Sequence, residues 1–320
     1  MLHEFAVDPG CLNSWEMLQR ISDLCGVHVG RYVSDFPPRA WQACVYGALR
    51  RNGFRQMKAV ETLLVSLQRR GGLHDSGRSF SGPRDDSAVW LKNARRENRE
   101  RPFQAIVTDA ERTDSNEISP KEIDPHNGHW CVGTGCRVER TAAALIKCLA
   151  PLLLQSRDFL FLVDSYFNPN EYRYCEAFKA YLVHTSQLSH KFRKIEVHTR
   201  LHVDPRAGDA ARTGRLQFFW KSCSDNFPKI VPLGMKVTIQ LWEEIEGSDS
   251  IHARYVLTER GGIKIDAGLD LGMLGQTTDV DLLAPNVYES RLREFQPESK
   301  TYRHLGKLEI DGIYRVRESR

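Results

Sequence analysis

The chain has 320 residues, 41% of them hydrophobic, with 45 Lys and Arg against 41 Asp and Glu and a formal net charge of +4. That length supports a large core in one domain or two, and the charge is too small and diffuse to mark a nucleic-acid footprint by itself, although phosphate-rich partners stay open. Its eight cysteines are scattered without close pairing, as expected for reduced, structural thiols in a cytoplasmic protein, and no internal repeat or long low-complexity segment interrupts the chain.

The start, MLHEFAVDPG, lacks a basic segment followed by an apolar one, so no secretory signal is expected. Residues 13–70 read as three helices. Asn13 or Ser14 caps the first, with Trp15, Leu18, Ile21 and Leu24 as its apolar stripe. Pro37-Pro38 precedes the second, where Trp41, Val45 and Leu49 share a side and Arg50-Arg51 close the end. Met57, Val60, Leu63, Leu64 and Leu67 form the third, which stops at Arg69-Arg70-Gly71-Gly72. No catalytic constellation stands out in this region, which reads as a helical docking domain over residues 1–95.

Residues 71–86, GGLHDSGRSFSGPRDD, read as a loop, and the following run with Arg95, Arg96, Arg99 and Arg101 as a solvated helix face paired with its own glutamates. The composition shift near residues 85–102 places the boundary there, leaving residues 96–320 as the second domain. Phe103–Thr108 reads as a strand. His126, His129, Cys131 and Cys136 have ligand chemistry suited to zinc, but their spacing matches no standard pair of ligand knuckles, and an ordinary Gly-rich loop is the expectation.

From Arg137 helix and strand alternate. Residues 140–155 read as a helix; its apolar stretch, interrupted by Lys147 and Pro151, is too short to cross a bilayer. Asp158–Val163 is a continuous apolar strand, as expected when both faces of a sheet are covered. Helices over 171–188 and 216–227 and strands over 194–199 and 235–243 complete an α/β domain with a mixed sheet flanked by helices. Ligands of open sheets sit at strand ends, which makes Asp164 and Tyr166 candidates. In VHTRLHVDP, His198, Arg200, His202 and Asp204 echo a His-x-basic pattern, with structural histidines the better reading.

In residues 251–258, Ile251, Ala253, Tyr255 and Leu257 alternate with His252, Arg254, Val256 and Thr258, a period-two strand with His252 and Arg254 on one face. Glu259-Arg260-Gly261-Gly262 reads as the hairpin turn, Ile263-Lys264-Ile265 as the return, and Ala267-Gly268-Leu269-Asp270 as a tight exit. A histidine and an arginine thus leave one strand together, a cluster suited to holding phosphate. Residues 276–283 read as a strand, 288–294 as a charged helix, and 308–316 as a final hairpin turning at Asp311-Gly312.

His252-x-Arg254-(four residues)-Glu259 resembles the His-x-Lys-(four residues)-Asp signature of the phospholipase D superfamily, with Arg for Lys and Glu for Asp. It is closer to the divergent branch found at the C-terminus of MIT-domain proteins and in bacterial, often defence-associated, proteins, whose Gly-x-Gly-Leu-Asp resembles Gly268-Leu269-Asp270 here. The resemblance spans roughly residues 103–320 and is specific only at this motif. It implies a metal-independent phosphodiesterase, most plausibly a nuclease in anti-phage defence, that uses no cofactor. His252 would be the nucleophile, Arg254 the phosphate clamp with Lys264 beside it, Glu259 the acid that orients the imidazole, and Asp164 and Asp270 supports. With a single motif, a complete site would need a homodimer, or a larger complex assembled through the N-terminal domain. The other class implied is an inactive subunit that binds phosphate in nucleic acid or anionic lipid without cleaving it.

Overall fold

The computed structural model describes residues 1–188, 190–203, 208–245, 247, 251–252 and 254–316. Ala253 of the expected strand and Asp204 after the second histidine pair lie outside the described residues. The chain forms two compact units, Met1–Thr134 and Gly135–Arg320.

The first unit holds β1 (His3–Val7), α1 (Trp15–Leu24), β2 (Arg31–Ser34), α2 (Trp41–Arg51), α3 (Met57–Arg69), β3 (Leu73–His74), α4 (Ser87–Glu100), β4 (Ala105–Val107) and β5 (Glu117–Ile118). The strands pair in parallel in the order β3-β2-β1-β4-β5. On one face Phe5, Val7 and Val33 pack with Leu18, Ile21, Trp41, Leu49 and Leu64 of α1–α3. On the other, Ala6 and Ile106 pack with Phe36, Trp90 and Leu91, the last two from α4. Trp41 and Trp90 bury their rings and donate their indole N–H groups to the carbonyls of Val7 and Phe36, each at 2.8 Å.

The three expected helices are present, and Ser14 caps α1 by accepting from the Met17 N–H. The region is nevertheless an α/β unit rather than a helical one, and its boundary falls after Thr134 rather than at residue 95. Residue 95 lies inside α4, whose Arg95 and Arg96 pair with Glu117 and Glu97, while Arg101 just after the helix pairs with Glu4 of the same unit. The strands escape a period-two reading because they are short and covered on both faces: all four residues of β2 are buried, so no polar alternation is written into them.

The second unit holds β6 (Gly135–Glu139), α5 (Ala142–Leu153), β7 (Phe159–Asp164), α6 (Tyr172–Ser186), β8 (Lys194–Arg200), α7 (Asp209–Asn226), β9 (Lys236–Glu244), β10 (Arg254–Thr258), β11 (Gly261–Ile265), β12 (Thr277–Leu282), α8 (Pro285–Glu294) and β13 (Tyr302–Asp311). They build the expected mixed sheet, in the order β13-β9-β8-β7-β10-β11-β12-β6. β7, β8 and β9 run parallel; β10 is antiparallel to β7, with Arg254 opposite Asp164. Phe161, Val163, Trp242, Tyr255 and Leu257 bring the central strands into one apolar cluster with Phe295 after α8.

Two local expectations change. The final hairpin is replaced by one ten-residue strand, β13, paired along β9. Gly312 donates its N–H to the Met235 carbonyl, so Asp311-Gly312 ends the strand instead of reversing it. The expected Gly-rich loop gives way at Gly135 to the edge strand β6, paired with β12. Among the described residues, no helix is long and apolar enough to cross a membrane.

Candidate functional site

The hairpin that carries His252 and Arg254 turns where the glycine pair places it, with Thr258 opposite Gly261 across the two-residue loop Glu259-Arg260. Gly262 has a packing reason as well: a Cβ there would lie 2.7 Å from both Leu257 Cδ2 and Leu283 Cδ1. The hairpin fixes polarity. β10 begins at the edge where β7, β8 and β9 end, so Arg254 meets the residues that follow those three strands.

Tyr166, just past β7, is the hub. Its hydroxyl is 3.3 Å from His252 Nδ1, and its ring stacks on His202 with centroids 5.0 Å apart. The guanidinium carbons of Arg254 and Arg200 sit 5.0 Å and 5.7 Å from the same ring centroid. These are cation–π distances, and both cations are fixed from behind. Arg254 Nη1 donates to the Asp266 carbonyl at 2.9 Å, and Arg200 pairs with Glu244. Each arginine keeps a buried Nε with no hydrogen-bond partner among the described residues. His252 is exposed, and Tyr166 is 37% exposed, so the hub opens to solvent.

His202 and His198, both expected to be structural, part company here. His198 is fully buried between Glu196 and the Trp242 indole N–H, and burial lowers its pKa. His202 donates from Nε2 to the Ser165 carbonyl at 2.6 Å, which leaves Nδ1 to accept from Arg200 Nη2 at 3.3 Å. Burial lowers its pKa too, consistent with a neutral ring serving as a platform for Tyr166. A second imidazole therefore reaches the site from the same chain. Its signal in the sequence was position: it follows the end of a central parallel strand, as Tyr166 does.

Below the hub lies a buried carboxylate pair. Asp164 accepts from the N–H groups of Leu269 at 2.8 Å and Tyr166 at 2.9 Å; burial raises its pKa against those two bonds. Asp270 is held by Arg140 at 2.5 Å and Arg173 at 2.9 Å. Between the two acids runs Gly268, with φ +118° and no room for a side chain, since a Cβ would meet Asp270 Oδ1 at 2.7 Å and Asp164 Oδ2 at 3.2 Å. Asp164 and Asp270 thus brace the turn that supplies the Asp266 carbonyl and the backbone of Tyr166.

Lys264 pairs with the Asp266 carboxylate at 2.6 Å, which raises the lysine pKa and lowers that of the acid. Glu259 is displaced from the role expected for it. It accepts from the backbone N–H groups of Arg157 at 2.6 Å and Phe159 at 3.5 Å, at the start of β7. The step from Arg254 to Thr258 alone spans about 13 Å at about 3.3 Å per strand residue. An acid beyond Thr258 and a histidine before Arg254 lie at opposite ends of one strand, so Glu259 does not orient His252. Of the histidine and cysteine cluster, Cys136 lies 3.3 Å from Cys148, and among the described residues no group of three or more His, Cys, Asp and Glu side chains is arranged to hold a metal ion.

The first unit carries a different set of groups at the same kind of edge. Asp8, Asp35 and Asp109 follow β1, β2 and β4 within two residues, after AV, VS and VT. Asp8 is 4% exposed, accepts from the Gly10 N–H at 2.8 Å and the Ser87 hydroxyl at 3.3 Å, and is pushed up to about 6 by burial. Recurrence of an aspartate after a short apolar run was the legible signal.

No family model matches this sequence, and no curated protein matches it. Among solved structures, phosphatidylserine synthase of Haemophilus influenzae Rd KW20 is similar at 13% identity and a TM-score of 0.29, over 53% of this chain and 39% of that one. TrmBL2, an archaeal chromatin protein whose structure is described as showing a novel mode of DNA binding, is similar at 12% identity and a TM-score of 0.26, over 90% of this chain and 100% of that one. The chain spans about two-fifths of the synthase, 39% of its length. Superpositions this loose transfer neither fold nor activity.

Proposed function

We propose that the Gly135–Arg320 unit binds a phosphate ester at the hub and cleaves it as a phospholipase D-type phosphodiesterase, with nucleic acid as the substrate class. The observation that carries this reading is the pair of arginines flanking Tyr166, each with a buried Nε that has no hydrogen-bond partner among the described residues. Buried donors without acceptors are costly, and a phosphate oxygen is the acceptor that guanidinium geometry suits best. His252, exposed beside them, attacks phosphorus: a P–N bond forms as the P–O bond to the leaving alcohol breaks, that oxygen takes a proton from water, and a second water then cleaves the P–N bond and releases the phosphate monoester. Arg254 and Arg200 hold the non-bridging oxygens. Because water protonates the leaving oxygen, this scheme does not require a homodimer to supply a second imidazole. A nuclease role in anti-phage defence rests on the resemblance at residues 252–270, and docking through the N-terminal region rests on its amphipathic helices α1–α3.

One observation favours a second reading, a subunit that binds phosphate without cleaving it. Among the described residues, no carboxylate lies within hydrogen-bond reach of His252. The test is cleavage of bis(p-nitrophenyl) phosphate and of single- and double-stranded DNA and RNA in EDTA, by wild type and His252→Ala. EDTA-resistant cleavage that disappears in the variant supports the phosphodiesterase. Silence from both, with nucleic-acid binding lost in Arg254→Ala, supports the binding subunit.

A further inference from the structure

If His252 is to act through Nε2, something has to hold the proton on Nδ1, because the partner of one ring nitrogen sets the state of the other. Glu259, the acid expected there, is bonded to the backbone at the far end of β10. What stands at Nδ1 is the Tyr166 hydroxyl, 3.3 Å away. That hydroxyl is fixed in place. The Tyr166 N–H is bonded to Asp164 Oδ1, and the ring is stacked on His202. His202 is in turn tied by both nitrogens, to the Ser165 carbonyl and to Arg200, so it does not compete for the role. Among the described residues, the charged groups facing the hub include Arg200, Arg215, Arg254, Asp164, Asp266 and Glu244, and Glu244 is already engaged by Arg200 and by the Ile251 N–H.

We propose that Tyr166 is the positioning residue for His252: its hydroxyl oxygen accepts a hydrogen bond from Nδ1–H, which keeps the proton on Nδ1 and leaves the Nε2 lone pair facing the phosphate. The proposal rests on the reading of the hub as a phosphate site and assigns the orienting role to a phenol, where the sequence motif assigns it to a carboxylate. An aromatic ring does this on a platform that also carries two guanidinium groups on or near its face, so one side chain sets both the imidazole and its clamp.

The test reads the His252 tautomer directly, by long-range nitrogen–proton correlation of the imidazole in the full chain above the pH at which the ring is neutral. Wild type is expected to hold the proton on Nδ1. Tyr166→Phe, which keeps the ring and its stacking, is expected to release it to the mixture of an unconstrained histidine, and Glu259→Gln to leave it where it is in wild type. Equal tautomer balance in wild type and Tyr166→Phe, or a shift in Glu259→Gln, overturns the proposal. This readout does not require turnover, so it stands apart from the fate of the phosphodiesterase reading. Where wild type cleaves, kcat is expected to fall by about 100-fold in Tyr166→Phe with KM unchanged; a fall confined to KM overturns the positioning role.

Discussion

Both sheets gather polar groups at the ends of parallel strands, but the groups differ in sign: aspartates follow β1, β2 and β4 in the first unit, while arginines and histidines surround Tyr166 in the second. In both units these groups lie at the C-terminal ends of parallel strands, where the ligands of open sheets sit. What differs is how the buried charge is compensated. Asp8 is buried against one N–H and one hydroxyl, whereas Asp270 sits between two guanidinium groups. A carboxylate with weak partners resists ionisation, and one with strong partners becomes part of the scaffold.

The largest effect is expected from His252→Ala, which should lower any EDTA-resistant phosphodiester cleavage by at least about 1,000-fold, the scale of removing a nucleophile. An active variant would move the chemistry of the second unit away from its cationic edge. Asp270→Ala comes next. It leaves Arg140 without its carboxylate partner and Arg173 with Glu171 alone, and denaturant titration should show a loss of about 3 kcal/mol in that unit. If stability is unchanged, the contrast between scaffold and strained carboxylates is broken.

Asp8→Asn should act in the opposite direction. The folded value, about 6, lies above the ordinary 3.8, so the folded protein holds this proton more tightly than the unfolded chain. The contribution to stability is then fully present below about pH 4 and is lost as pH rises through about 6. The variant should therefore gain up to about 3 kcal/mol at pH 7 and nothing below pH 4, measured as midpoint shifts in urea at both values. The smallest effect belongs to Glu259→Gln, which loses two charge-assisted bonds to the start of β7. It should cost about 1–2 kcal/mol and leave His252-dependent cleavage unaltered; a collapse in rate would return Glu259 to the site.

Much of the second unit was legible because its elements are long and its signals local. An unbroken apolar run announced β7, and paired glycines announced the hairpin after Thr258. The first unit was read by its helices alone, since amphipathic stripes mark α1–α3 whereas β2, buried along its whole length, marks nothing. The boundary was misplaced for a related reason. β4 pairs with β1 across about a hundred residues, and that pairing leaves no trace in composition near residue 95.

By itself the sequence determined which side chains were available: His252 and Arg254 two residues apart at the head of a strand, a hairpin behind them, and Gly268-Leu269-Asp270 after the return. These are short-range facts, set by backbone geometry over a few residues. Only the tertiary structure decided which of them share a site. Strand order brings Tyr166, Arg200 and His202 to the head of β10, and strand length carries Glu259 to its other end. A linear motif gives separation along the chain, but an extended strand turns that separation into distance, whereas sheet pairing brings residues distant in sequence together.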